Sequence, residues 1–237
     1  MTRGTGLLAA ALLALAACHD PAPPDPPPVP AGEDPERWLE AIEAFEAEPL
    51  PEERPAVFVG SSSIRRWTTL AEDMAPVPVL NRGFGGSRIF DAVHWVDRLV
   101  VPHDPTVVVV FSGTNDLNGE APRSAGWVAA RFDELIARLR ALGCDAPVVY
   151  IAISPTPRRE AHLAAVLETN AMIRARCEGA DDLHFVDTAS GLLDADGRPD
   201  PRWFTDDRLH LNAEGYAAWT ARIRPLVERL DAARRAP

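Results

Sequence analysis

The sequence predicts an α/β fold, a parallel sheet wound on both faces by helices. Three observations point there. Short β-branched apolar runs alternate with longer stretches in which apolar residues recur at helical spacing. The run at 107–111, VVVVF, is apolar at every position, as a strand buried on both faces must be. Small and polar residues crowd the positions just after the runs, where such sheets bind ligands.

The elements can be read in order. Asp34-Pro35 forms a helix cap and first turn, and Trp38, Leu39, Ile42 and Phe45 continue it at helical spacing until Pro49 and Pro51 end it. Strands are expected at 56–59, 77–80, 106–111, 147–153 and 183–186. Between them, Ile89, Val93, Val96 and Leu99 form one helical stripe. Trp127, Val128, Phe132, Leu135, Ile136 and Leu139 form another, with Gly143 in the place where a left-handed residue ends a helix. A third helix covers about 160–177, and a last one about 212–230 with a kink expected near Pro225. Right-handed crossovers are expected between parallel strands.

The chain has 237 residues, a net charge of −11 and 46% hydrophobic residues. The hydrophobic share is ordinary for a globular domain, and the negative charge argues against nucleic acid or an anionic membrane surface as partner. At the N-terminus Arg3 precedes an apolar run at 7–17, too short to span a bilayer and suited to a secretory signal. Leu15-Ala16-Ala17-Cys18 resembles the lipobox of bacterial lipoproteins. That resemblance implies cleavage before Cys18, lipid on that cysteine, and an exported protein anchored to a bacterial membrane; a plain signal peptide is the alternative. Seven residues between Pro21 and Pro30 are proline, which makes an extended tether. The chain thus divides into a signal at 1–17, a tether at 18–33 and one domain at 34–237. Export leaves two states open for Cys144 and Cys177, a disulfide or two buried thiols. The histidines are scattered without zinc-binding spacing.

The segments after the strands carry the chemistry. Gly60-Ser61-Ser62-Ser63 follows the first strand, and Asn81-Arg82-Gly83-Phe84-Gly85-Gly86 follows the second. Gly113-Thr114-Asn115-Asp116 follows the third, and Asp207-Arg208-Leu209-His210-Leu211-Asn212 precedes the last helix. Each alone reads as a turn or a helix cap. Together they hold what nucleophilic acyl transfer needs: a hydroxyl, an imidazole to take its proton, a carboxylate three residues from that imidazole, and fixed amide donors for an oxyanion. Arg65, Arg66, Arg88, Arg158 and Arg159 fall in loops of the same edge, where either contact with an anionic substrate or a solvated surface is open to them; the surface is the default for most.

In this order, GSS, NxGxGG, GTND and DxxHxN resemble the four blocks of the SGNH (GDSL-like) serine hydrolase superfamily, in particular a branch whose first block reads FxGSSSxxxW, here Phe58 to Trp67. The resemblance implies Ser62 as nucleophile, His210 as general base and Asp207 as its orienting acid. It implies an oxyanion hole from Ser62, Gly86 and Asn115. Ser61 stands where the family's acidic residue would, which leaves Ser63 as a rival nucleophile. The implied fold is a flavodoxin-like three-layer α/β/α sandwich with a five-stranded parallel sheet in the order 2-1-3-4-5. The implied activity is hydrolysis of carboxylic esters, of small acyl groups on carbohydrate or similar, without metal or cofactor. An acyltransferase using the same site and a non-catalytic carbohydrate-binding lipoprotein are the alternatives. The sequence leaves the oligomeric state open.

Overall fold

The computed structural model describes residues 24–119 and 121–236. The expected signal at 1–17, the lipidation position Cys18 and the start of the tether lie outside them. The strands are β1 (Ala56–Gly60), β2 (Val79–Gly83), β3 (Val107–Phe111), β4 (Val148–Ile151) and β5 (Leu183–Val186). All pairings are parallel and the order is β2-β1-β3-β4-β5, as expected.

Side chains alternate across a strand, so each apolar run feeds two cores. Val57, Val59, Val108, Val110, Val148 and Tyr150 face one core, which is closed by helices α1 (Leu39–Glu46), α4 (Ile89–Leu99), α5 (Ala125–Ala141) and α6 (Leu163–Cys177). Ala56, Phe58, Val107, Val109, Phe111 and Val149 face the other. That core is closed by the short helices α2 (Ser62–Arg65) and α3 (Leu70–Asp73) and by the long α7 (Ala213–Arg235). Three layers result from one rule of alternation applied to strands that are apolar throughout.

Some boundaries differ from the sequence expectation. Strand β2 runs two residues later and carries Asn81 and Arg82 within it. Arg82 is buried because Glu48 accepts from it at 2.6 Å and Phe45 lies under its guanidinium. The first helix opens as a 3-10 turn over Pro35–Trp38, with no side-chain cap from Asp34, and ends before Pro49. Helix α7 continues through Pro225 to Arg235, where Arg235 pairs with Asp231 at 2.7 Å. Of the two states open to the cysteines, the structure has the thiols: Cys144 and Cys177 are buried and unpaired, packed as small apolar groups in the first core. Burial raises both, Cys177 to about 11.

The proline-rich segment from residue 24 forms neither helix nor strand, yet it lies on the domain. Arg138 donates to the carbonyls of Pro24 and Asp25. The side chain of Glu33 is buried and receives both Arg88 at 3.2 Å and Arg123 at 2.7 Å.

Candidate active site

The chain leaves β1 at Gly60 and turns at once into α2, which begins with Ser62. The Ser61 amide donates to the Phe111 carbonyl, so this turn is fastened to the end of β3. The first amides of a helix have no intrahelical acceptor, and among the described residues the Ser62 amide has no acceptor elsewhere. The turn is also fixed from β2. Asn81 donates through Nδ2 to the Ile64 carbonyl at 2.7 Å and accepts the Gly83 amide at 3.0 Å. Gly83 must be glycine here, since a Cβ would lie 2.2 Å from the Arg65 nitrogen.

Behind the turn, Trp67 packs in the second core. It meets Phe58 edge-on at 5.9 Å, stacks on Tyr216 at 5.4 Å and meets Trp219 at 5.7 Å. Tyr216 in turn donates its hydroxyl to the Ser63 carbonyl at 2.8 Å. Thus the W of the first block and the first turns of α7 brace the serine segment.

The second and third blocks meet beside it. Gly86 is exposed with φ +85°, a left-handed conformation that favours glycine, and among the described residues its amide has no acceptor. Asn115 donates through Nδ2 to the Ser87 carbonyl at 2.9 Å and accepts Arg159 Nη2 on Oδ1 at 3.0 Å. A carbonyl can only accept and a guanidinium can only donate, so these partners fix which way the amide faces. One Nδ2 hydrogen remains for a ligand. Arg159 also donates to the Thr114 carbonyl at 2.9 Å. Asp116 is fully buried and accepts the Ile89 amide at 3.1 Å, joining this loop to the start of α4. Burial pushes Asp116 up to about 7.

The fourth block closes the site. His210 Nε2 lies 2.8 Å from Ser62 Oγ, and Nδ1 lies 2.6 Å from Asp207 Oδ2. The other Asp207 oxygen accepts from the amides of Leu209 and His210 and from the Thr205 hydroxyl, each at 2.9 Å. Partial burial works against the Asp207 charge, but these hydrogen bonds hold the carboxyl well below the usual carboxylate range. The Thr205 amide donates to the His210 carbonyl, and Phe204 bridges Leu211 in antiparallel fashion, so the loop is a small closed clasp. Asn212 then caps α7 by accepting the Gly215 amide.

Ser62, Asn115 and His210 therefore line one small enclosed pocket with Ser63, Thr114, Ser154, Thr156, Arg159 and Leu209. Gly86 stands outside that lining, one residue from the Ser87 carbonyl that Asn115 touches. Ser63 spends its carbonyl on Tyr216, while the imidazole faces Ser62. Sequence reading missed Thr205 and the bond from Arg159 to Asn115; the only signals were a hydroxyl two residues before Asp207 and an arginine pair after β4.

The family model for the GDSL-like lipase/acylhydrolase family matches residues 55–218. The chain is 27% identical over 203 residues to platelet-activating factor acetylhydrolase IB subunit alpha1 of Rattus norvegicus, covering 82% of this chain and 84% of that one. It is 23% identical over 204 residues to the alpha2 subunit of Bos taurus. A GDSL-like lipase from Bacteroides thetaiotaomicron superposes with a TM-score of 0.68 at 21% identity, over 83% of this chain and 98% of that one. An acetylxylan esterase from Geobacillus stearothermophilus shares the fold at a TM-score of 0.59 and 14% identity, over 78% and 96%. With the matched residues spanning more than half of its length and all four blocks, this chain belongs to the GDSL-like lipase/acylhydrolase family, a family of esterase- and lipase-type hydrolases.

Proposed function

We propose that the protein hydrolyses carboxylic esters of small acyl groups through an acyl-enzyme on Ser62. The observation that carries this reading is the unbroken contact from Ser62 Oγ to His210 to Asp207. His210 Nε2 takes the hydroxyl proton as Oγ attacks the ester carbonyl, and Asp207 fixes the tautomer and steadies the imidazolium. The oxyanion is received by the free Nδ2 hydrogen of Asn115 and by the amides of Ser62 and Gly86. His210 returns its proton to the leaving alcohol, the C–O bond breaks, and water activated by the same imidazole releases the acid and regenerates Ser62.

The small pocket that holds Ser62 and Asn115, with Ser154 and Thr156 on its wall, supports a short acyl group over a long chain. The 27% identical relative is named for acetyl-group hydrolysis. The open side beyond His210 is polar, lined by Asn118, Arg158, Arg159 and Asp207, which suits a carbohydrate or similarly polar alcohol. We read Cys18 as the lipidated N-terminus of the mature, exported protein; an unmodified peptide retaining residues before Cys18 in a mass spectrum removes that part of the reading.

The central test is Ser62→Ala. It should abolish hydrolysis of p-nitrophenyl acetate and covalent labelling by a fluorophosphonate while leaving the circular dichroism spectrum unchanged. A label mapped to Ser61 or Ser63 overturns the assignment. In the wild type, acetyl esters should be cleaved faster than butyryl and far faster than octanoyl esters.

A further inference from the structure

All 24 cationic residues of this acidic chain are arginine. Most are paired: 17 of the 23 described arginines have a carboxylate oxygen within 4.0 Å. Among the described residues the exceptions are Arg65, Arg158, Arg159, Arg208, Arg222 and Arg229. The last two lie on α7. Of the other four, Arg159 lines the pocket at Ser62 and His210, Arg158 and Arg159 line the groove outside His210, Arg65 lies over Gly85, and Arg208 stands in the clasp two residues before His210. With acids in excess over bases by 35 to 24, pairing is the default, and two unpaired guanidiniums in one groove, with a third arginine on the adjoining clasp, need a reason.

Their placement is specific. The Arg158 amide donates to the Arg208 carbonyl at 2.9 Å, which joins the loop after β4 to the Asp207–His210 clasp. Arg158 and Arg159 line the open groove outside His210 together with Asn118, Leu209 and the carboxylate of Asp207. Arg208 is exposed, with φ 57°. Arg159 is half-buried; burial first, and then the charge of Arg158, lower its hold on its proton. Like charges are thus gathered, and the partly desolvated Arg159 has two neutral oxygens, the Thr114 carbonyl and Asn115 Oδ1, but no carboxylate as partner. The carboxylates nearby are engaged: Glu160 is held by Arg198 at 2.6 Å, and Asp207 faces His210. On the far side of Ser62 the Arg65 guanidinium covers Gly85, beside Gly86.

We propose that Arg158, Arg159 and Arg208 form an anion subsite that receives a phosphate or carboxylate carried by the alcohol portion of the ester. This rests on the hydrolase reading above, which puts the acyl group in the enclosed pocket and lets the alcohol leave past His210. His210 lines both the enclosed pocket and the arginine groove, so the leaving group departs into the groove. A guanidinium suits both anions because its planar fork donates to two oxygens at once.

The test uses three matched esters: phenyl acetate, 4-acetoxyphenyl phosphate and 4-acetoxybenzoate. Arg158→Ala/Arg208→Ala leaves the reacting groups in place. It should keep phenyl acetate turnover at wild-type level and lose about ten-fold or more in kcat/KM on the anionic esters, mostly in KM, as loss of a charge-assisted contact predicts. The wild-type preference for an anionic ester should shrink as salt rises. The phosphate and carboxylate arms show which anion the subsite favours. Calorimetry of Ser62→Ala with 4-acetoxyphenyl phosphate separates the two readings. Binding that disappears with the Arg158/Arg208 substitutions, in a wild type that cleaves no ester, leaves the subsite standing and removes the hydrolase. Equal loss on neutral and anionic esters, or no binding of the phosphate ester by Ser62→Ala, overturns the subsite.

Discussion

The two segments that meet at the 2.8 Å contact between Ser62 and His210 are held by different forces. The serine segment is a packed object. It leaves a strand buried on both faces, and Trp67 wedges it among Phe58, Tyr216 and Trp219. The histidine segment has little apolar anchorage, with Leu211 and Phe204 buried beneath it. Its shape comes from directional bonds: three donors on one oxygen of Asp207, and the Thr205–His210 backbone pair. Packing is shared with the whole core, so damage to it spreads into stability. Hydrogen bonds on an exposed loop are local, so damage to them stays in the chemistry.

Substitutions can break or sharpen that contrast. Trp67→Ala should have the largest effect, about 3–5 kcal/mol of stability from a large buried side chain removed, with turnover per active site near wild type. Denaturant melts alongside fluorophosphonate titration measure both, and a loss of turnover per titrated site as large as the loss of stability would erase the contrast. Next comes Asn115→Ala, which should cut kcat by roughly 10²–10³ with KM and melting temperature little changed. Arg159→Met should lower kcat less, and add little on top of Asn115→Ala if it acts through that amide; full additivity in the double variant would place Arg159 elsewhere in the mechanism. Thr205→Val removes one donor to a charged oxygen and should cost about ten-fold in kcat with an unchanged melt.

Asp116 offers the mildest probe, because it lies between the two regimes: a buried group in an active-site loop. In the unfolded chain its carboxyl ionises near pH ~4, while in the folded protein it holds its proton up to about pH 7. A raised folded value means that its contribution to stability is full below pH ~4 and is lost as pH rises through about 7. Asp116→Asn keeps an acceptor for the Ile89 amide and cannot ionise. It should therefore melt roughly a few degrees above wild type at pH 8 and close to it near pH 4; identical melts at both values would show that the carboxyl is not held protonated.

Both halves of the contact were legible in the sequence, for different reasons. The doubly apolar runs imposed the layers, and the strand order followed once the four blocks were recognised. Where periodicity failed, a local bond had taken over. Strand β2 was placed early because Asn81 and Arg82 look like loop residues; Glu48 and Phe45, more than thirty positions away, make Arg82 a buried strand residue. Helices α2 and α3 have four residues each, too few for a stripe to register. In the site, Ser62, Asn115 and His210 meet at one pocket and Asp207 bonds to His210, while Gly86 stands outside the lining. Arg159 was placed at the site's edge, but its bond to Asn115 and the role of Thr205 depend on which atoms they face, and no spacing encodes that.

The segment ahead of the domain also has a mechanical meaning. Residues 24–33 are clasped twice, at Arg138 and again at Glu33. The two partners of Glu33 are not neutral bystanders. Arg88 follows the Ser87 whose carbonyl holds Asn115, and the Arg123 amide donates to the Asp116 carbonyl. Tension drawn along the chain from its N-terminal side would first load the Arg138 clasp, and only when that slipped would it reach the loops that carry Gly86 and Asn115. The first clasp works as a strain relief, like the knot inside a plug that takes the tug before the wires do.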